Sequence, residues 1–291
     1  MKKHRAFLKW AGGKYSLIDP IRRLLPEGRK LIEPFVGAGS VFLNTDYERY
    51  VLNDINPDLI TLYQYVKRRP KTFIKDARSF FCGRTNQADA YYAMRQRFNL
   101  SRDPYERSLL FLYLNRHGYN GLCRYNSKGG FNVPFGEYKK PYFPEAELEV
   151  FAEKAKRAQF VCASFEHIFR RARQGDVIYC DPPYAPLTPT ANFTSYATGG
   201  FGLTDQNELA RRAKMAAEKR HIPVLISNHD TKLTRALYDT AEITSLSVAR
   251  NISQNGKTRK PVAELLALYD YRQAEGYDNV VTLTPKLAKA Q

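Results

Sequence analysis

The apolar run Val177-Ile178-Tyr179-Cys180, which stops at Asp181-Pro182-Pro183-Tyr184, constrains this chain more than any other stretch. Four consecutive apolar positions describe a strand buried on both faces, the kind found in a parallel sheet covered by helices. The residues that end the run are poorly suited to ordinary turn-making. The acid and a proline carbonyl can accept hydrogen bonds from an amino group on a flat ring, and the tyrosine can stack on that ring. The prolines fix the backbone and offer no N–H donors. A plain turn is the competing reading, since Asp and Pro both favour turns. Partners elsewhere in the chain decide between the two.

Similar runs recur. Residues 30–35 (Lys-Leu-Ile-Glu-Pro-Phe) read as a first buried strand, followed by a glycine turn and a helix opening at Ser40. Residues 50–54 read as a second strand, 160–163 as another, and 223–227 follow a helical stretch over 205–219. Strands alternating with helices predict a mostly parallel sheet with helices on both faces. The last segments, 242–249 and 263–270, suit an antiparallel pair closing one edge.

Between them lies a different kind of sequence. Residues 57–144 hold helical patches at 90–98 and 105–115. The stretch Asn115 to Lys140 then carries five Lys or Arg against one acid, with several Asn, Gly and Tyr. It is too polar and glycine-rich for a sheet core, and reads as loops or a small hairpin on a helical base. The expected organisation is an α/β domain of residues 1–56 and 145–270, an inserted unit at 57–144, and a flexible tail at 271–291. Residues 253–260 (Ser-Gln-Asn-Gly-Lys-Thr-Arg-Lys) read as a mobile loop able to touch phosphate, or as disorder.

Charge points to a partner. The 291 residues carry 46 Lys plus Arg against 29 Asp plus Glu, a formal net charge of +17. Such an excess suits a polyanion, with an attraction that weakens as salt rises. No stretch approaches the apolar length of a membrane span, and the basic N-terminus is not followed by a secretory apolar segment. Cys82, Cys123, Cys162 and Cys180 form no C-x-x-C pair, so reduced thiols in a cytoplasm are expected. His117, His167, His221 and His229 lack metal-ligand spacing; structural roles and no metal are expected.

The turn Phe35-Val36-Gly37-Ala38-Gly39 follows the first strand, where open α/β sheets bind ligands. A dinucleotide fingerprint needs Gly or Ala at position 42, which is Phe42, and no phosphate-loop ending is present. Asp54, closing the second strand, is placed to bind two ribose hydroxyls, so a nucleoside cofactor without a pyrophosphate fits best. Capping of the next helix is the plainer role for Asp54. Near the start, Trp10 beside Gly12, Gly13 and Lys14 offers an aromatic face for a cationic sulfonium and an ammonium for a carboxylate. A surface turn anchored by Trp10 explains the same residues, and spacing does not separate these readings.

Residues 9–14 (Lys-Trp-Ala-Gly-Gly-Lys), 33–39 (Glu-Pro-Phe-Val-Gly-Ala-Gly) and Asp181 to Tyr184 occur in the order found in Dam-type DNA adenine-N6 methyltransferases. Residues 114–126 (Leu-Asn-Arg-His-Gly-Tyr-Asn-Gly-Leu-Cys-Arg-Tyr-Asn) resemble that family's target-recognition region. The likeness runs from about Arg5 to Asp270. It implies a Rossmann-like methyltransferase sheet with an inserted helical and β-hairpin recognition domain. S-adenosylmethionine is the implied methyl donor. The implied target is adenine in double-stranded GATC, in the cytoplasm on the nucleoid; a monomer on DNA is the default expectation, which the resemblance does not itself supply. Trp10, Lys14, Asp54 and Asp181 match cofactor-contacting positions, and Phe35, Gly37 and Gly39 form the glycine turn. Asp181, Pro182, Pro183 and Tyr184 form the catalytic motif. Lys9, Tyr119, Asn120, Leu122, Arg124 and Pro134 match positions that meet bases or fill the opened helix; Arg95, Arg116 and Asn126 match phosphate contacts. Glu137 departs from the pattern, standing where close relatives carry a basic residue, so one backbone contact is expected to be lost. On charge and spacing alone, Arg116 and Arg124 read as solvated loop charges.

Adenine N6 is a poor nucleophile because its lone pair is delocalised into the ring. The Asp181 carboxylate and Pro182 carbonyl can hold both its N–H groups and favour a more tetrahedral nitrogen, so that alignment and preorganised electrostatics supply the rate. The target must first leave the duplex, at a cost of a few kcal/mol. Tyr119 and Asn120 can fill the gap, and Arg124 can read a base edge for about 1–3 kcal/mol of discrimination. Restriction-system or RNA adenine methyltransferases and a catalytically silent DNA-binding regulator are the alternatives. Mismatch repair, replication timing, gene regulation and phage defence all stay open as biological roles.

Overall fold

The computed structural model describes residues 2–185, 200–248 and 262–271. Within them, seven strands form one sheet: β1 (Lys30–Glu33), β2 (Arg49–Asn53), β3 (Ala158–Val161), β4 (Asp176–Cys180), β5 (Val224–His229), β6 (Glu242–Val248) and β7 (Val262–Tyr269). Their spatial order is β3-β2-β1-β4-β5-β7-β6. Strands β1 to β5 pair in parallel, with Leu31 between Tyr50 and Val177. Strand β7 runs antiparallel between β5 and β6, bringing Glu264 beside His229 and Leu266 beside Ser227. The expected antiparallel pair therefore closes one edge.

Successive side chains on a strand point to opposite faces. Leu31, Val177 and Tyr179 accordingly enter one apolar layer, and Ile32, Ile178 and Cys180 the other. The first layer is covered by α1 (Ile18–Leu24), α2 (Ser40–Asn44), α3 (Pro57–Arg68), α4 (Pro70–Arg78), α5 (Ala88–Leu100), α6 (Pro104–His117) and α7 (Glu145–Ala155). The second is covered by α8 (Phe165–Arg171), α9 (Leu203–Arg220) and α10 (Lys232–Leu237). Helix α6 is buried at every position from Ser108 to His117 and forms the post of the inserted region. A helix apolar nearly all round must be enclosed. Its neighbours α3, α4 and α5 enclose it, so the core of the insert runs into the core under the sheet without a break.

Two of these helices begin where local chemistry dictates. Asn56 accepts from the N–H groups of Asp58 and Leu59 ahead of Pro57, and Asp103 accepts from Glu106 ahead of Pro104. A side-chain cap followed by proline satisfies and pre-sets the first helical turn. The cap of α3 is thus Asn56, which leaves Asp54 to other work. Strand β1 stops at Glu33 instead of reaching Phe35, because Pro34 has no N–H for a ladder; Val36 N–H then turns to the Asn53 carbonyl. Strand β3 starts two residues before the expected Phe160. Residues 115–140 hold a short 3-10 turn at Tyr119–Gly121 and two isolated antiparallel bridges, Gly118 to Phe135 and Tyr125 to Phe131. The 253–260 segment and residues 272–291 lie outside the described residues. No described helix is long and apolar enough to cross a membrane.

Candidate active site

The strand order reverses between β1 and β4, and the segments leaving their carboxyl ends separate there. Open α/β sheets bind ligands in the crevice this creates. A cavity of about 1260 Å³ occupies it, its walls including Trp10 to Lys14, Glu33 to Ala38, Asn53 to Asp58, Ala163 to Glu166, and Asp181 to Ala185.

The glycine turn is shaped to let a ring approach. Gly37 has φ 45°, and a Cβ there would stand 2.9 Å from Trp10 Nε1, so the indole edge occupies the space a side chain would need. The Gly37 N–H donates to Asp54 Oδ2 at 3.1 Å, and Asn56 N–H donates to Asp54 Oδ1 at 3.0 Å. Asp54 thereby ties the turn to the end of β2 while staying in the cavity wall. Burial pushes its carboxyl above the usual range, against the pull of the Asn56, Gly37 and Ile55 N–H groups. Phe35 lines the cavity and packs on Phe165 and Phe201. Gly39, left-handed at φ 72°, lies behind the wall, where it starts α2 beside Phe42 and Phe151.

On the opposite side, the Asp-Pro-Pro-Tyr segment is clamped from several directions. Asp181 Oδ1 receives Lys14 Nζ at 3.0 Å and the Ser227 hydroxyl at 3.0 Å. Lys14, 5% exposed, also donates to the Gly12 carbonyl and sits 4.4 Å from the Tyr184 ring centroid. The lysine expected to meet a ligand carboxylate is here engaged with Asp181. Gln206 donates to the Pro183 carbonyl, whereas no donor among the described residues takes that of Pro182. Asn228 Oδ1 accepts from Ala185 N–H, and Tyr184 donates to Glu264 Oε2 at 2.8 Å with His229 edge-on to its ring. Glu33, also in the wall, is 2% exposed, and its Oε1 has no hydrogen-bond partner among the described residues; burial and the nearby Asp181 raise its carboxyl well above the ordinary value.

The sequence-predicted recognition residues collect on one part of the insert. Tyr119, 49% exposed, and Asn120, at φ 51°, project from the short 3-10 turn, with Pro134 accepting the Tyr119 N–H. Exposed Arg124 donates to Asn132 Oδ1 and O, and half-buried Leu122 packs on the core. Lys9 joins this group from the N-terminal segment: its Nζ lies 3.8 Å from the Tyr138 ring centroid, and its backbone is hydrogen-bonded on both sides by Asn115. Arg95 reaches from α5 to the Val133 carbonyl. Asn126 uses its carbonyl oxygen on Lys128 and Gly130 N–H, bracing a turn. Arg116 is the one placed differently from the loop charge that spacing suggested. It is 8% exposed at the end of α6, donating Nε to the Tyr142 carbonyl with its guanidinium over that ring. Glu137 is exposed, at φ 52°.

Ser227, Asn228, His229 and Glu264 escaped the sequence reading, His229 having been assigned a structural role. They come from β5 and β7, distant in sequence from residue 181; strand pairing brings His229 and Glu264 to the cavity wall and sets buried Ser227 and Asn228 behind the Asp181 to Ala185 segment. A Ser-Asn-His ending on a buried strand was the one available signal.

The sequence matches known proteins over most of its length. A family model described as D12 class N6 adenine-specific DNA methyltransferase matches residues 10–252. The DNA adenine methylases of Vibrio cholerae (strain El Tor Inaba N16961) and Escherichia coli K12 are each 62% identical over 269 residues. That length is 92% of this chain and 97% and 96% of theirs, respectively. That of Serratia marcescens is 60% identical, covering 92% of this chain and all of its own length (100%). Among solved structures, precorrin-6y C5,15-methyltransferase from Geobacter metallireducens overlaps 88% of this chain and 86% of its own at 10% identity, with a TM-score of 0.37. That overlap is too loose to carry an argument. With its sheet, its glycine turn and its Asp-Pro-Pro-Tyr loop facing one cavity, and its sequence matched over most of its length, this chain belongs to the D12 class N6 adenine-specific DNA methyltransferase family.

Proposed function

We propose that the enzyme methylates adenine N6 in double-stranded DNA at GATC, as a monomer, with S-adenosylmethionine as donor and with the residues placed above in the following roles. The observation that carries the reading is one cavity with two dissimilar walls. Gly37, Trp10 and Asp54 suit an uncharged nucleoside, and Asp181 with Tyr184 suits an amino-bearing ring. The turn fits the donor on this structure's own terms. A Cβ at Gly37 would collide with Trp10, and Asp54 puts a carboxylate where ribose hydroxyls can reach it rather than a site for pyrophosphate. When bound, the donor supplies an electrophilic methyl group on a sulfonium.

The chain's own residues hold the other reactant. Asp181 and the Pro182 carbonyl accept the two N6–H bonds, and Tyr184, its hydroxyl anchored on Glu264, presents its ring for stacking. Asp181 is the group placed to accept the released proton. Alignment and fixed dipoles supply most of the rate. Exposed Tyr119 and Asn120 fill the space left by the extruded base, and Arg124, free of ion pairs among the described residues, reads a base edge. Lys9 and Arg95 brace the same loops. The net charge of +17 supports a nucleic-acid partner, and the likeness of residues 114–126 to Dam-type recognition segments supports GATC in duplex form and a place on bacterial DNA.

Methyl transfer to a GATC duplex, compared with the same duplex scrambled at that site and with an RNA of matching sequence, tests the reading. Transfer confined to the GATC duplex is expected. Equal labelling of both duplexes would remove the specificity, and no labelling by folded, cofactor-binding protein would favour a silent binder. Asp181→Ala is expected to abolish transfer while retaining specific DNA binding; normal methylation by that variant would overturn the assigned chemistry.

A further inference from the structure

Both donors to the Asp181 side chain land on the same oxygen. Lys14 Nζ and Ser227 Oγ are each 3.0 Å from Oδ1, and no donor among the described residues takes Oδ2, although Asp181 lines the cavity. Ser227 itself is fully buried, and its Oγ lies 3.1 Å from the hydroxyl of equally buried Tyr179. A serine hydroxyl has one proton to give. The Cys180 carbonyl at 3.4 Å and the Tyr179 hydroxyl are both neutral and farther away than Oδ1, so the charged Oδ1 accepts the hydrogen bond. Tyr179 then donates to Ser227, forming a chain that runs from β4 to β5 and back to the loop after β4.

We propose that Ser227 is a positioning residue for methyl transfer, holding Asp181 by Oδ1 so that Oδ2 alone is presented to the target amino group. The proposal rests on the reading of Asp181 given above and adds to it the reason one carboxylate oxygen is reserved. Lys14 gives charge but sits on a flexible stem, whereas Ser227 is set in a strand and fixes the torsion of the carboxylate. The same device explains the electrostatics. Burial raises the Asp181 carboxyl above its usual range, Lys14 and Ser227 pull it back, and Glu264 pushes it up again. Glu33 and the Cys180 thiol, each raised by burial first and by Asp181 second, and the hydroxyls of Tyr179 and Tyr184 are the other titratable neighbours. Losing Ser227 leaves one counter-donor, so Asp181 holds its proton to higher pH.

Ser227→Ala in the full-length enzyme is the test, read as the single-turnover rate of methylation of a GATC duplex across pH. A hydrogen bond to a charged group contributes about 1.5–3 kcal/mol, so a rate reduction of roughly 10- to 100-fold is expected. The acid limb of the rate profile should move to higher pH, with DNA affinity near that of the parent and a melting temperature lower by about a few degrees, because the buried Tyr179 hydroxyl loses its acceptor. Tyr179→Phe, which keeps the ring packing, should shift the same limb in the same direction by less. A Ser227→Ala rate within twofold of the parent overturns the proposal. So does a slower rate with an unmoved acid limb, which marks a merely structural hydroxyl. Asp181→Ala run alongside separates the two levels: if it stays active, the reading of Asp181 fails, whereas an inactive Asp181→Ala beside an unaffected Ser227→Ala sinks only the role of Ser227.

Discussion

Gly121→Ala should detach the 119–126 loop from the N-terminal segment, at a cost set by the Lys9 contact. Gly121 has φ 62°, and a Cβ added to it would stand 2.1 Å from Lys9 Cβ and 2.6 Å from Lys9 Cδ. Lys9 has nowhere to retreat. Asn115 receives its N–H, donates to its carbonyl, and donates also to the Gly121 carbonyl, so one amide staples the two backbones together. A left-handed alanine costs roughly 1–2 kcal/mol, and forcing a group into a packed contact about 1–3 kcal/mol. The expected loss is therefore about 2–5 kcal/mol, a large share of a typical folding free energy. Gly129→Ala is the internal control: φ is 78°, but nothing lies within 4 Å of its Cβ, so only the conformational cost of about 1–2 kcal/mol applies. Urea unfolding of both variants measures the difference. DNA binding by fluorescence anisotropy should weaken for Gly121→Ala, which displaces Lys9 from Tyr138, more than for Gly129→Ala. Equal destabilisation of the two variants would show that the contact with Lys9 costs nothing, and would refute the reasoning.

Other parts of the molecule offer independent checks. His117 is fully buried between Tyr113 and Phe81, and burial, with Arg116 and Lys9 adding to it, pushes its imidazole down to about 4. The unfolded chain takes up that proton first, so the stability contribution is complete above about pH 6.5 and is lost as pH falls toward 4, on the order of 3 kcal/mol in all. Melting temperatures across that window should fall more steeply for the parent than for His117→Phe; identical slopes would count against it. Asp54→Ala leaves the Gly37 and Asn56 N–H groups without their acceptor. Titration with S-adenosylhomocysteine should show affinity reduced at least about tenfold, at roughly 1–3 kcal/mol per lost partner; unchanged affinity would remove Asp54 from the cofactor site.

Much of this was legible in the chain itself, for a definite reason. The all-apolar run at 177–180 and the helix opening at Ser40 are local effects. Burial pattern and backbone chemistry settle them within a few residues. So are the glycine turn and the Asp-Pro-Pro-Tyr loop, which sit at strand ends wherever those strands end up. What sequence left undecided depended on which strands become neighbours. Ser227 and Glu264 reach Asp181 and Tyr184 only because β5 lies beside β4 and β7 beside β5, 46 and 80 positions away in the chain. Lys14 gains Asp181 as a partner, a contact between residues 167 positions apart that spacing did not show. Arg116 went from a solvated loop charge to a buried one because α6, enclosed on all sides, carries it inward. Residue type and spacing determined the family to which the chain belongs; the packing of distant segments decided which oxygen of Asp181 is left without a donor among the described residues.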